Sequence, residues 1–210
     1  MKTDVYLIRH GESFGNVEGR LCGNPPGPGL TERGRSQAQA VARHLLARGV
    51  RPAIIASSPL LRVIETAAPL LLVTGRRLVL ADPLREVRFG AWEGLRQEDV
   101  PDSGHLRAWY LDPERFPPPG GERLSAVAAR VVGELGRLSL RQPGGAIVAF
   151  SHMHPLVALT LVARGQPFVD HGMYYLPNAA IVHVRFEDGH AEFISIDPQA
   201  TALEDDAVSV

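Results

Sequence analysis

The segment Leu7-Ile8-Arg9-His10-Gly11-Glu12-Ser13 marks the point where an apolar run ends in a group of polar residues. The run, Val5-Tyr6-Leu7-Ile8, fits a buried parallel strand, and open α/β sheets bind ligands at the carboxyl ends of such strands. Arg9 would present a permanently charged fork to an anion, and His10 a neutral imidazole nitrogen that can act as a nucleophile or base. Gly11 would let the backbone turn tightly beside them. A polar strand end without a function also fits this segment, so the rest of the chain must decide.

Length and composition are those of a globular chain. The 210 residues suffice for one domain, 1–210, and 45% of them are hydrophobic and 21% charged. The net charge of -1 argues against a nucleic-acid partner. Because Lys2 is the only lysine among the 22 basic residues, any anion site would consist of guanidinium groups. No signal segment or membrane-spanning run is evident, so we expect a cytoplasmic protein without a membrane partner.

Predicted helices and strands alternate along the chain. Helices are predicted after Thr31 as N-cap, after Ser58 as N-cap with Pro59 at the first helical position, over 122–140 and over 152–163. Strands are predicted over 53–56, 78–80, 146–150, 181–186 and 191–196, the last two as an antiparallel hairpin. This order predicts a three-layer α/β/α sandwich with a mostly parallel sheet and an antiparallel edge.

Three segments lack a regular pattern. Residues 14–30 are rich in Gly and Pro and predict a loop, which lacks the Lys-Ser or Lys-Thr pair of a nucleotide-binding phosphate loop. Residues 95–120, with one helical piece at 106–111, are interpreted as a lid. The acidic tail, 204–210, predicts a mobile terminus.

Polar residues also follow two other predicted strands. Arg62 stands in the first turn of the helix that begins after Ser58, close to the crevice of Arg9, although a solvated helix arginine fits it as well. His152 stands at the start of a further helix, where exposed backbone N–H groups form a natural anion site. The loop 84–94 is rich in charged and aromatic residues, which is typical of functional loops.

Together these pieces resemble the histidine phosphatase superfamily, which has the phosphoglycerate mutase-like fold. The matching pieces are Arg9-His10-Gly11-Glu12 with Asn16, Ser58-Pro59-Leu60 with Arg62 and Thr66-Ala67, Glu86 before Gly90-Ala91-Trp92-Glu93-Gly94, and Ser151-His152. An Arg-His-Gly triplet alone would be a weak signal, but four pieces in this order are a strong one.

The resemblance implies a phosphatase mechanism. His10 would attack phosphorus and form a phosphohistidine, while Arg9, Arg62 and His152 would hold the phosphoryl oxygens. Because the arginines neutralise the charge, neither a metal nor a cofactor is expected. The partner would be a small phosphorylated substrate. The oligomeric state is left open, and a homodimer is one state that the sequence allows.

Two further residues receive roles from the resemblance. Asn16 would add a neutral hydrogen-bond donor. Glu86 would protonate the leaving oxygen and later accept a proton from the attacking water. For this role Glu86 must first carry a proton, so we expect its pKa to be raised by partial burial or by the phosphate.

The chain departs from the family pattern after the second histidine. Met153 stands where the family usually has glycine, and we expect its backbone N–H to meet the phosphate. His154 is also unusual. Together with His152 it could suggest a metal pair, but no further ligand stands at a supporting spacing. A helix-start residue or a substrate contact is the preferred interpretation of His154.

Weaker candidates surround this set. Phe14, Arg20, Cys22 and Gly23 lie where family members contact substrate. Trp92, Trp109 and Tyr110 either line the lid side of the pocket or pack in the core. His171, Tyr174 and Tyr175 are left without an assigned role.

Two alternatives to a phosphatase remain at this point. Phosphoglycerate mutases of the family carry Arg-His-Tyr-Gly just after the acid, whereas Val87-Arg88-Phe89-Gly90 follows Glu86 here. This difference favours the phosphatase branch. A binding module without catalysis is disfavoured because it would need neither His10 nor Glu86.

Overall fold

A mixed six-stranded sheet forms the centre of the protein. The computed structural model describes residues 1–23 and 27–197. The strands are β1 (Thr3–Arg9), β2 (Pro52–Ser57), β3 (Leu78–Leu80), β4 (Ala146–Ser151), β5 (Ile181–Glu187) and β6 (His190–Asp197), in the order β3-β2-β4-β1-β5-β6. The first four are parallel, and β5 pairs antiparallel with both β1 and β6. The predicted parallel sheet with an antiparallel edge is confirmed.

Helices cover both faces of the sheet. They are α1 (Phe14–Val17), α2 (Glu32–Ala47), α3 (Leu61–Thr74), α4 (Ser103–Leu111), α5 (Leu124–Leu140) and α6 (Met153–Ala163). Because side chains alternate along a strand, Val5 and Leu7 of β1 join the core beneath α5 and α6. Tyr6 and Ile8 join the second core beneath α2 and α3. The α/β/α sandwich is therefore confirmed.

The predicted capping of α3 was wrong. The N-cap of α3 is Leu60, which makes no side-chain capping bond, so Pro59 precedes the helix. The hydroxyl of Ser58 lies instead 2.9 Å from Nε2 of His152. The side chain of Ser58, which the local pattern predicts as a helix cap, thus makes a tertiary contact.

The predicted loop over 14–30 contains a short helix, α1. Ser13 caps it, since its hydroxyl accepts from the backbone N–H of Asn16 and its own N–H donates to the Asn16 side chain. This reciprocal capping stabilises four helical residues in a segment that Gly and Pro otherwise dominate. Residues 24–26 of that loop, and the tail 204–210, lie outside the described residues.

Gly11 is required for a different reason than predicted. Its φ is not positive, so no special turn demands glycine there. A Cβ at Gly11 would instead collide with the carbonyl oxygen of Gly34 in α2. The close approach of the two backbones lets α2 pack directly behind the segment that carries His10.

The segment 95–120 forms α4 and the irregular chain around it, and α4 begins three residues before the predicted helical piece. No helix of the described residues is long and apolar enough to cross a bilayer.

Candidate active site

The carboxyl ends of adjacent strands bring the polar residues together. Arg9 ends β1 directly opposite Ser151 at the end of β4. His10 and His152 therefore leave neighbouring strands side by side, with ring centroids 5.2 Å apart. Arg62 reaches the same place from the first turn of α3.

Arg62 connects the two histidines. Its Nε–H donates to Nε2 of His10 at 3.2 Å, and its Nη2 lies 3.1 Å from Nδ1 of His152. Nη2 also donates to the carbonyl oxygen of Cys22 at 2.7 Å. The guanidinium is only 3% exposed, which decides against a solvated arginine.

Hydrogen bonding fixes the tautomer of His10. Nδ1 lies 2.7 Å from the carbonyl oxygen of Gly11, which can only accept, so Nδ1 carries the proton. Nε2 then holds a lone pair. Burial, assisted by the positive charges of Arg62 and Arg9, holds the pKa of His10 well below its ordinary value. His10 is thus a neutral imidazole with its free nitrogen facing two guanidinium groups.

Two further donors of these guanidinium groups are buried. Arg9 Nε and Arg62 Nη1 are buried and have no hydrogen-bond partner among the described residues. Arg9 is anchored through Nη1, which donates to the carbonyl oxygen of Leu176. Burial lowers the pKa of both arginines, yet a guanidinium stays charged at neutral pH. Unsatisfied cationic donors in a buried place are suited to an anion with several oxygens.

His152 is held from two sides. Nδ1 faces Arg62, a donor, so Nε2 carries the proton that points to the Ser58 hydroxyl. Burial, with Arg62, lowers the pKa of His152 well below its ordinary value. His152 is also the N-cap residue of α6, and Met153 is the first helical residue.

Glu86 reaches the site because hydrogen bonds from Arg130 and Ser151 hold the loop that carries it. The guanidinium of Arg130, on α5, donates to the carbonyl oxygens of Pro83, Arg85 and Glu86 at 2.6, 2.7 and 2.9 Å. The hydroxyl of Ser151 donates to the carbonyl of Leu84 at 2.7 Å. Sequence reasoning missed Arg130, which looks like any polar residue of an amphipathic helix.

The predicted rise in the pKa of Glu86 was wrong for the free protein. Burial alone raises this pKa, but His154, the N–H of Val87 and Arg62 together lower it below its ordinary value. The carboxylate is therefore ionised at neutral pH. The sequence pattern gave no view of these compensating neighbours.

Comparison with known proteins identifies the family. The model of the histidine phosphatase superfamily (branch 1) matches residues 5–197. The chain belongs to this superfamily. The solved structure of Bacillus stearothermophilus YhfR superposes with a TM-score of 0.86 at 26% identity, covering 93% of this chain and 96% of that one.

Named relatives include phosphatases. Adenosylcobalamin/alpha-ribazole phosphatase of Escherichia coli is 32% identical over 203 residues, 95% of this chain and 93% of the relative. Phosphoserine phosphatase 1 of Hydrogenobacter thermophilus is 30% identical over 88% of this chain and 87% of its own. These names support a phosphoric monoester hydrolase. A 2,3-bisphosphoglycerate-dependent phosphoglycerate mutase of Methylobacterium is 33% identical over 79% of this chain and 80% of its own length. The chain spans only 44% of the length of three other relatives that it matches, among them the Bifunctional protein Rv2228c of Mycobacterium tuberculosis.

A cavity of about 720 Å³ is lined by Arg9, His10, Arg62 and Glu86, among other residues. The rest of the lining combines apolar and aromatic residues with polar ones. The apolar and aromatic ones are Val17, Leu21, Phe89, Tyr110, Leu111, Met153, Tyr174 and Tyr175, and the polar ones include Glu12, Ser13, Gln97 and Asn178.

Asn16, predicted to bind phosphate, and the weaker sequence candidates divide into two groups. Asn16, Arg20 and Cys22 line the cavity, and the Asn16 carbonyl oxygen is occupied by Ser13, which leaves the amide NH₂ as its free donor. Phe14, which is half exposed, and Gly23 are not among the lining residues. The N–H of Gly23 instead donates to Glu93, which joins the loop 14–30 to the loop 84–94 that carries Glu86.

The aromatic candidates also divide. Tyr110 lines the cavity, whereas Trp92 and Trp109 are buried in the core. No group of three or more His, Cys, Asp or Glu side chains suited to a metal ion occurs within residues 1–23 and 27–197.

Proposed function

We propose that this chain hydrolyses a small phosphomonoester through a phosphohistidine on His10, with Glu86 as the general acid and then the general base. The observation that carries the proposal is the pair of buried, unpartnered donors, Arg9 Nε and Arg62 Nη1, around the neutral imidazole of His10. A binding site alone would need the cations but not an imidazole held with its lone pair toward them.

The first step breaks the ester. The lone pair on Nε2 of His10 forms a bond to phosphorus while the bond from phosphorus to the alcohol oxygen breaks. Glu86 gives its proton to that oxygen. Since the free carboxylate is ionised, the proton arrives with the monoanionic ester, whose second pKa is about 6. Arg9 and Arg62 stabilise the charge on the phosphoryl oxygens.

The second step regenerates the enzyme. Water attacks phosphorus and gives a proton to Glu86, and the bond to Nε2 of His10 breaks. Inorganic phosphate leaves with the imidazole again neutral. Met153 N–H and the NH₂ of Asn16 would add neutral donors to the phosphoryl oxygens in both steps.

The cavity wall supports a preference in the alcohol part of the ester. Arg20, the outer cation of the lining, already pairs with Glu18 at 2.5 Å. The aromatic and apolar wall around Tyr110, Met153 and Tyr174 instead favours an apolar or aromatic group. We therefore propose that a monoester with such a group is hydrolysed faster than phosphoserine or phosphoglycerate. The single domain over 1–210 and the cytoplasmic location stay predictions from the sequence, and the oligomeric state stays open between a monomer and a homodimer.

Labelling tests the covalent step. Wild-type protein mixed with a ³²P-labelled aryl monoester and quenched in alkali should carry acid-labile phosphate, and His10→Ala should carry none. Label on His10→Ala would overturn the assignment of the nucleophile.

A leaving-group series tests the acid. Glu86→Gln should slow the first step by a factor on the order of 10²–10⁴ for an alkyl phosphate. The loss should shrink for 4-nitrophenyl phosphate, whose leaving group needs little protonation. Equal losses for both esters would remove Glu86 from this role.

A mutase would behave differently. The same active site could return the phosphoryl group to a second hydroxyl. The similarity to a phosphoglycerate mutase is the reason to test this alternative. Wild-type protein should release inorganic phosphate without a bisphosphate activator. Interconversion of 2- and 3-phosphoglycerate that is faster than phosphate release would establish the mutase instead.

A further inference from the structure

His154 is a buried histidine that lies beside Glu86 and that the mechanism above does not use. It lies in the first turn of α6, two residues after His152, and is 6% exposed. Its Nδ1 lies 3.1 Å from Oε1 of Glu86, and both side chains are less than 10% exposed. Its backbone N–H donates to the same oxygen at 3.3 Å.

The contacts of the Glu86 carboxylate with the described residues converge on one oxygen. Besides the two contacts from His154, Oε1 accepts the backbone N–H of Val87 at 2.9 Å. The approach of Nδ1 is not aligned as a hydrogen bond, so it is an electrostatic contact, and it is favourable when Nδ1 carries its proton because an ionised carboxylate only accepts. Oε2 is then the oxygen that is left for proton transfer.

The ring of His154 is itself fixed. It stacks on His171 with centroids 5.2 Å apart and an interplanar angle of 8°. Trp109 and Phe89 pack against it at 4.9 and 5.8 Å. An imidazole held on several sides can impose one orientation on a flexible glutamate side chain.

The neighbouring groups do not oppose this arrangement. Burial lowers the pKa of His171 to about 3, so the stacked ring is neutral at pH 7. Burial raises the pKa of Tyr110, on α4, to about 12, so its phenol is also neutral. Among the described residues, the charged side chains that interact with this cluster are Glu86, Arg62 and Arg9, and both arginines attract Glu86.

We propose that His154 is a positioning residue: its Nδ1–H and backbone N–H hold Oε1 of Glu86 so that Oε2 faces the leaving oxygen and then the attacking water. The proposal rests on the proposed function, in which Glu86 is the acid and base. His154 touches neither phosphorus nor the reacting oxygen in this arrangement.

The experiment compares leaving groups in three variants. His154→Ala removes the imidazole, whereas the side-chain NH₂ of Asn in His154→Asn can replace Nδ1–H. His171→Leu, the matched control, replaces the stacked imidazole with an apolar side chain and keeps the packing of Trp109 and Phe89 against His154 and its contact with Glu86. Rates of phosphohistidine formation are measured for 4-nitrophenyl phosphate and for an alkyl phosphate.

We expect the rate of phosphohistidine formation in His154→Ala to fall about 10- to 100-fold for the alkyl ester and less than threefold for the nitrophenyl ester. A fall of this size is the expected effect of a misplaced acid. His154→Asn should recover most of the loss, and inorganic phosphate should inhibit all variants at similar concentrations. His171→Leu should keep the wild-type ratio between the two esters. A wild-type ratio in His154→Ala would overturn the proposal.

A double-mutant cycle covers variants that fold poorly. When Glu86→Gln is already present, adding His154→Asn or His154→Ala should not change the ratio of the rates for the two esters any further, because the acid is already absent. A further change in this ratio in the double mutants would overturn the proposal. Labelling of His10 in wild-type protein tests the proposed function separately, so the two can fail independently.

Discussion

The Nε–H of Arg62 donates a hydrogen bond to Nε2 of His10 at 3.2 Å, so a cation rests on the lone pair of the nucleophile. The same guanidinium faces Nδ1 of His152 at 3.1 Å. In the proposed mechanism, an incoming phosphoryl group would have to take over the donors of Arg62 before His10 could attack. Arg62 would then both cover the lone pair of His10 in the free protein and bind the phosphoryl oxygens of the substrate.

Replacement of Arg62 by lysine should be severe, although the charge is kept. An ammonium group cannot present three donors in a fixed plane to His10, His152 and a phosphoryl oxygen. Arg62→Lys should slow phosphohistidine formation by about 10²–10³-fold. Single-turnover kinetics measure the rate, with Arg33→Lys, at an exposed position of α2, as the matched control. A loss below fivefold would contradict a role for the planar fork.

Chelation should leave activity intact. In the proposed mechanism, Arg9 and Arg62 supply the positive charge that a metal would otherwise supply, beside the neutral ring of His152. Phosphate release in excess chelator should equal that in its absence. Activity that disappears on chelation and returns with a divalent ion would support the alternative in which His152 and His154 bind a metal.

The clamp made by Arg130 should matter for rate and for stability. In Arg130→Met three loop carbonyls and Glu122, which Arg130 contacts at 3.1 Å, lose their partly buried partner. We expect a loss of about 3 kcal/mol in the free energy of unfolding, measured in urea. Because the loop carries Glu86, kcat should fall more than KM rises. Arg137→Met, on the same helix with Glu134 as its partner, is the control. Wild-type kcat in Arg130→Met would show that the clamp does not position Glu86.

His171 should make the protein sensitive to acid. Burial lowers its folded pKa to about 3, while the unfolded chain titrates near 6.5. The stabilisation is complete above pH 6.5 and is lost as pH falls toward 3, because only the unfolded state binds the proton there. Between pH 6.5 and 5 the free energy of unfolding should fall by about 2 kcal/mol more in wild-type protein than in His171→Leu. Parallel urea-unfolding results for the two proteins over this range would contradict the shift.

The sequence by itself determined the layered fold and the residues that meet at its centre. Apolar runs such as Val5–Ile8 and 146–150 are local signals, and in a parallel sheet their carboxyl ends meet at one edge. The positions of Arg9, His10 and His152 follow from that rule. Their order with Arg62 and Glu86 indicated the family.

Only the tertiary structure decided how these residues are held. The Arg130 clamp, the Ser58 contact with His152 and the grip of His154 on Glu86 join residues 44, 94 and 68 positions apart. It also reversed the expected pKa shift of Glu86, because the donors around Oε1 outweigh burial. Periodicity and capping rules describe neighbours along the chain. The contacts of a buried polar group depend on which distant segments pack against it, so they emerge only once the chain has folded.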